Sequence, residues 1–122
     1  MPVSVTKTAG RTATITWDTA DDPHGRIARA VDSDQLAYGI ETLGDGAAQH
    51  DTTRNVEVVL QAAFHTMNLA RELEVRVAVQ VVRLRDDHGL SWRRIAEVLH
   101  GDSERQSSVR RQYETGRRQL GF

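Results

Sequence analysis

Five arginines fall within the twenty-one residues HGDSERQSSVRRQYETGRRQL, His100 to Leu120. A guanidinium holds its N–H donors in a planar fork, which fits a phosphate or the paired acceptors on the edge of a guanine. Ser107 and Ser108, interleaved with the arginines, add hydroxyls that donate or accept at the same range. Ser91, Arg93 and Arg94 repeat the combination six to nine residues upstream of that run. The chemistry these side chains offer together is recognition of a polyanion.

Such groups act only if a scaffold aims them. His88-Gly89 reads as a helix stop and Ser91 as the N-cap of a new helix. Within that helix Trp92, Ile95, Ala96 and Leu99 share one apolar face, at i, i+3, i+4 and i+7. Gly101 ends it, and Ser103 with Gln106 three residues on forms a capping box for the next helix. Helix, short turn, helix is the plan of a helix-turn-helix, whose second helix enters the major groove of DNA. At about 100° per residue, Val109, Tyr113, Gly116 and Leu120 gather on one side of that second helix. Glu104, Ser107, Ser108, Arg111, Glu114, Thr115 and Arg118 lie opposite, with Arg110 and Arg117 on a flank. The first two turns would reach base edges, which nominates Ser107, Ser108 and Arg111, with Arg105 nearer the packed side. Phosphates would be met by Ser91, Arg93 and Arg94 at the start of the first helix and by Arg110, Arg117 and Arg118 on the second.

The run VVRLRDDHGLSWRRIAEVLHGDSERQSSVRRQYETG resembles the helix-turn-helix of small actinobacterial DNA-binding regulators and, more distantly, region 4 of sigma factors. The motifs that carry the likeness are Gly89-Leu90-Ser91-Trp92, Ile95-Ala96, Leu99 and Arg105-Gln106, within residues 76–121. The resemblance implies a three-helix DNA-binding unit and is silent on the first 70 residues. The turn after Leu99 departs from the family pattern, being two residues longer and lacking its apolar residue.

Ahead of this unit, VSVTKTAGRTATITW at residues 3–17 alternates as a β-hairpin does, with Val3 and Val5 on one arm and Ala13, Ile15 and Trp17 on the other. Acidic DTADDPHG follows as a loop. Ile27 and Val31 fit one short helix, and Leu36, Ile40 and Leu43 a second, before GDGAAQHD breaks the chain. A helix capped by Thr53 then carries Val56, Val59, Leu60, Ala63, Met67 and Ala70 as an apolar stripe, suited to a core or to a second subunit. LEVRVAVQVVRLR, Leu73 to Arg85, alternates like a strand and is β-branched like one, yet at helical spacing it forms two apolar faces. No Pro or Gly interrupts residues 47–88, and the unit after Gly89 needs a leading helix, so a helix is expected here, broken or bent near Glu72 to Val75 because an unbroken run of over thirty residues is unusual in a small domain.

The expected fold class is therefore mainly α, with a three-helix helix-turn-helix unit at the C-terminus and a small N-terminal β-hairpin. The domain division is set at residues 1–50 and 51–122. The 122 residues carry a net charge of −1, unevenly spread. Residues 1–82 sum to −4 and residues 83–122, with nine arginines and six acids, to +3, an acidic body with a basic end. Cysteine is absent, which rules out disulfides and thiolate metal sites. No apolar run reaches the roughly 20 residues of a membrane span, and the N-terminus has no signal core, so a cytoplasmic protein is expected. The five histidines have no metal-ligand spacing, and no nucleophile–base pair or phosphate loop is evident. Neither catalytic residues, metal, cofactor nor small-molecule substrate is expected, nor an enzyme.

These readings converge on a homodimeric, sequence-specific binder of double-stranded DNA that regulates transcription, since paired subunits read two half-sites. The stripe Val56, Val59, Leu60, Ala63 and Met67 is the candidate dimer surface, with strand pairing between hairpins as the alternative. The competing reading is a protein–protein interaction module, an adaptor or antitoxin-like partner, whose arginines meet an acidic protein surface.

Overall fold

A computed structural model describes residues 3–122. It is mainly helical, with one small antiparallel hairpin: β1 (Ser4–Ala9), β2 (Thr12–Thr16), α1 (Arg26–Asp32), α2 (Gln35–Gly44), a 3-10 turn (Ala47–His50), α3 (Val56–Asp86), α4 (Trp92–His100) and α5 (Gln106–Gln119). The chain divides into two compact units, one ending at Leu69 and the other Ala70–Phe122.

In the first unit the hairpin pairs Ser4 with Thr16, Val5 with Ile15, Thr6 with Thr14 and Lys7 with Ala13, and its register slips between Lys7 and Ala9. Alternating β-branched residues favour this extended form. Helix α1 gains a cap from outside its own first turn, because the Asp22 carboxylate accepts the N–H groups of Ile27 at 3.1 Å and Ala28 at 3.0 Å. The Ala28 bond is the main reason the Asp22 carboxyl sits below its ordinary pKa. Helix α2 lies against α3: the Tyr38 and His65 rings stack at 5.1 Å, the Thr42 and Thr66 hydroxyls meet at 3.3 Å, and a Cβ on Gly39 would stand 2.7 Å from Leu69 Cδ2. Packing here is thin, and among the described residues of this unit none is fully buried.

The sequence-derived start of α3 is corrected by two residues. Thr53 spends its hydroxyl on Asp51 Oδ1 at 2.6 Å, while Asn55 Oδ1 accepts the Glu57 N–H at 2.8 Å and acts as the cap. No break falls near Glu72 to Val75, where a break or bend was expected. Helix α3 runs 31 residues without a break, about 46 Å at the usual rise. Nothing in the segment forces a kink, since it holds neither proline nor glycine. The Leu73 to Arg85 stretch is helical, and Ala78, Val79, Val81 and Val82 are buried on its two apolar faces.

In the second unit Val81 of α3, Ile95 and Ala96 of α4 and Val109 of α5 form one buried cluster, with Val77, Leu84, Leu90, Trp92 and Tyr113 around it. Ser91 caps α4 as expected, its hydroxyl oxygen accepting the Arg94 N–H at 3.1 Å, and Gly101 closes it at φ 67°. Leu99, expected on the apolar face, is instead 43% exposed. It sits in the last turn of a nine-residue helix, beyond the side chains that cover Ile95. Helix α5 begins at Gln106 and not near Ser103. Asp102 intervenes: its carboxylate accepts the Glu104 N–H at 2.9 Å and its carbonyl the Arg105 N–H at 3.1 Å, which holds residues 103–105 in a turn. Gly116 seats the middle of α5 against α3, with no room for a side chain beside the Ala78 carbonyl.

Candidate nucleic-acid interface

With Val109 and Gly116 facing the core, helical rotation turns Ser107, Arg111, Glu114 and Arg118 outward, and all four are exposed. Arg105 is exposed at the N-cap. Ser108 departs from the expected pattern, since it is half-buried on the flank of α5. Arg111 stands at the rim of an open, largely apolar groove that includes Leu73, Val77 and Ala78 of α3.

The start of α4 is tied to the entrance of α5. Arg93 Nη1 lies 3.6 Å from Glu104 Oε1, and Arg94 pairs within its own helix, Nη1 to Glu97 Oε1 at 3.5 Å. Both pairs are exposed, and such surface pairs hold their partners by only about 0–1 kcal/mol. An incoming phosphate can therefore exchange for either carboxylate at small cost. Ser91 uses its oxygen as the cap acceptor, which leaves its O–H to donate. Ser91, Arg93, Arg94 and Arg105 thus lie around the paired helix starts.

Of the remaining candidates, Arg110 reaches the start of α4 and Arg117 and Arg118 do not share that place. Arg110 lies over the Trp92 ring at 5.7 Å, and Arg117 over Tyr113 at 5.8 Å and Phe122 at 5.5 Å. Arg118 donates from Nη2 to Thr115 Oγ1 at 3.4 Å. Arg117 and Arg118 are in the last turn of α5, roughly 15 Å along its axis from Ser107 and Ser108. The six expected phosphate-binding residues therefore divide into Ser91, Arg93, Arg94 and Arg110 near the start of α4 and Arg117 and Arg118 in the last turn of α5.

Arg85 was missed by sequence reasoning. Its guanidinium stacks on Trp92 at 4.3 Å and donates from Nη1 to the Leu90 carbonyl at 3.0 Å. Trp92 meets Tyr113 edge to face at 5.1 Å, so Arg85 and Arg110 bracket an aromatic pair. The only hint in the sequence was an arginine near the end of the leading helix. His100 Nε2 lies 3.0 Å from Gln112 Oε1, fastening the end of α4 to α5.

The phenol of Tyr113 donates to both Asp86 carboxylate oxygens, at 2.8 and 3.1 Å, which raises its pKa above the ordinary value. The neutral phenol is the bonded form. Its contribution is complete below the unfolded pKa near 10 and is lost as the pH rises through the higher folded value. Urea midpoints measured from about pH 9 to about pH 12 should fall more steeply for the wild type than for Tyr113→Phe. Parallel curves would show that the bond adds nothing.

Among the described residues no group of His, Asp or Glu is placed to hold a metal, and no helix is long and apolar enough to cross a membrane. The chain matches no protein-family profile, no curated protein and no solved structure.

Proposed function

We propose that this protein binds double-stranded DNA sequence-specifically, as a cytoplasmic, homodimeric transcriptional regulator. Helix α4, the Gly101–Arg105 turn and α5 act as a helix-turn-helix, with α5 in the major groove. Ser107 and Arg111 read base edges from the first two turns, with Arg105 and Ser108 beside them. Ser91, Arg93, Arg94 and Arg110 grip the phosphate backbone at one end, and Arg117 and Arg118 at the other. The observation that carries the reading is the exposed row Ser107, Arg111, Glu114 and Arg118 on a helix whose other side is held by Val109 and Gly116. Such a row is short and polar where bases lie and basic where phosphates lie. The long turn sets the tilt of α5 and therefore which base pairs it meets.

The test is titration of mixed genomic duplex fragments at two salt concentrations. With about five phosphates neutralised per subunit, the log-log salt slope is expected at roughly −4 to −5. Arg94→Ala weakens all fragments alike and lowers the slope by about 1, while Arg111→Ala erodes the preference between fragments, by about 1–3 kcal/mol at the best site. Absence of duplex binding at low salt overturns the reading and returns the arginines to an acidic protein partner.

A further inference from the structure

Along the first half of α3 a row of apolar side chains stays exposed, and Val59, Ala63 and Met67 on one edge of it border an open pocket with Thr42 of α2, Gln49, Asp51 and Arg54. Five large apolar side chains project there, Val56, Val59, Leu60, Phe64 and Met67, each between 42% and 64% exposed, and exposed Ala63 lies among them. The inward side of the same turns is accounted for by Ala62, His65, Thr66 and Leu69, which are half-buried. A continuous apolar stripe on a water-facing helix is unusual unless something covers it.

We infer that a second copy of this chain covers it, with the two α3 helices antiparallel about a two-fold axis near Gln61 and Ala62. Three observations select that occupant. The first is the spacing of the stripe. The six positions follow steps of 3, 1, 3, 1 and 3, which read the same in both directions, so an antiparallel copy presents the same series. Val56 then faces Met67 of the second copy, Val59 faces Phe64, and Leu60 faces Ala63. An isologous interface demands this reciprocity, in which residue i meets j and j meets i. The Leu60–Ala63 match also puts a large side chain against a small one at the axis, which lets the helices close. The second observation is area. The exposed fractions amount to on the order of 500 Å² per copy, and with all of it covered about 1,000 Å² for the pair, the size of a weak, reversible interface. The third is charge. Between Val56 and Met67 the one carboxylate or guanidinium is Glu57, and Asp51 and Arg54 border only the Val59, Ala63 and Met67 edge, so the Leu60 and Phe64 side of the face offers a charged partner little. The inference deepens the proposed function by giving the dimer its surface, but its test needs no DNA, so the two can fail separately.

Sedimentation of the full chain without DNA should show a monomer–dimer equilibrium with a dissociation constant on the order of micromolar, as befits so small an interface. Leu60→Glu puts like charges across the axis and should raise that constant at least about tenfold, with the far-ultraviolet helix signal unchanged. The chain has no cysteine, so single introduced thiols report geometry directly. At 1.5 Å per residue, Ala63 is displaced from its counterpart by about 4.5 Å along the axis, and Val56 from its own by about 16 Å. A short bis-maleimide should cross-link Ala63→Cys to itself. Val56→Cys and Met67→Cys should each stay single alone and cross-link when mixed. Self-linking of Val56→Cys would indicate a parallel pair and overturn the arrangement. A wild type that remains monomeric at hundreds of micromolar, or that binds neutral lipid vesicles in place of itself, would give the face another role and overturn it altogether.

Discussion

Gly116→Ala is expected to unfold the C-terminal unit at a temperature about 10 °C or more below the wild type. A Cβ at this position would overlap the Ala78 carbonyl oxygen, and would stand 2.6 Å from the Ala78 carbonyl carbon and 2.8 Å from Val82 Cγ2. The first two atoms belong to the backbone of α3, so neither a rotamer change nor a small side-chain shift relieves the contact. Alanine is the better helix former by about 1 kcal/mol, which works in favour of the variant. Overpacking a closed core costs about 1–3 kcal/mol when side chains can yield, and more when backbone must move. The cost therefore wins, by about 2 kcal/mol or more, which corresponds to the stated shift for a unit of this size. Gly101→Ala separates this mechanism from ordinary glycine effects. Its φ of 67° strains any side chain, but no atom lies within reach of the added Cβ, so a loss of about 1 kcal/mol is expected. Thermal melts followed by near-ultraviolet circular dichroism would rank the two. Equal melting of the wild type and Gly116→Ala would mean that α5 does not approach α3 at this point.

That Gly116 belongs to the packed side of α5 was legible in the sequence, because it falls in phase with Val109 and Tyr113. Its close approach to a particular carbonyl was not, since that depends on how two helices distant in the chain meet. The same division holds elsewhere. Ser91 and Gly101 bound α4 by local backbone chemistry, and both act as read. The start of α5 was misplaced because two capping residues, Asp102 and Ser103, stand side by side. The turn geometry engaged Asp102, and local preference alone does not choose between them. Unbroken α3 was missed for another reason: length statistics argued for a break or bend, whereas the segment holds neither proline nor glycine to interrupt it. The stripe on its first half was legible as apolar, and its exposure was not, because periodicity reports that a face is apolar without reporting what covers it. Among the candidate contacts, outward-facing Ser107 and Arg111 followed from rotation alone. The placement of Arg85 on Trp92 needed the tertiary fold.

Ile95→Ala should cost the C-terminal unit about 3 kcal/mol, the largest loss of any single truncation on α4. Ile95 is 1% exposed and is clustered with Val81 of α3, Ala96 beside it on α4 and Val109 of α5. Removing its outer carbons gives up burial and leaves a cavity, and such truncations cost about 2–5 kcal/mol depending on how far the walls collapse. Collapse is limited here. Val81 and Val109 are β-branched, with one strongly preferred rotamer on a helix, and Ala96 has nothing to extend into the gap. The unit is small, and small domains stand at the low end of the usual 5–15 kcal/mol, so the variant retains a folded majority only narrowly. Leu99→Ala on the same helix gives the contrast. Leu99 is 43% exposed, so its truncation removes less buried surface and should cost less than about 1.5 kcal/mol. Urea unfolding followed by Trp92 fluorescence, in a Trp17→Phe background, reads both. On the DNA-binding reading proposed above, duplex binding should separate from stability: once the folded fraction is accounted for, Ile95→Ala should bind as the wild type does, because Ile95 lies in the core and not on the exposed side of α5. A residual binding defect would move Ile95 from the scaffold to the interface, and losses equal to those of Leu99→Ala would mean that the core of the unit lies elsewhere.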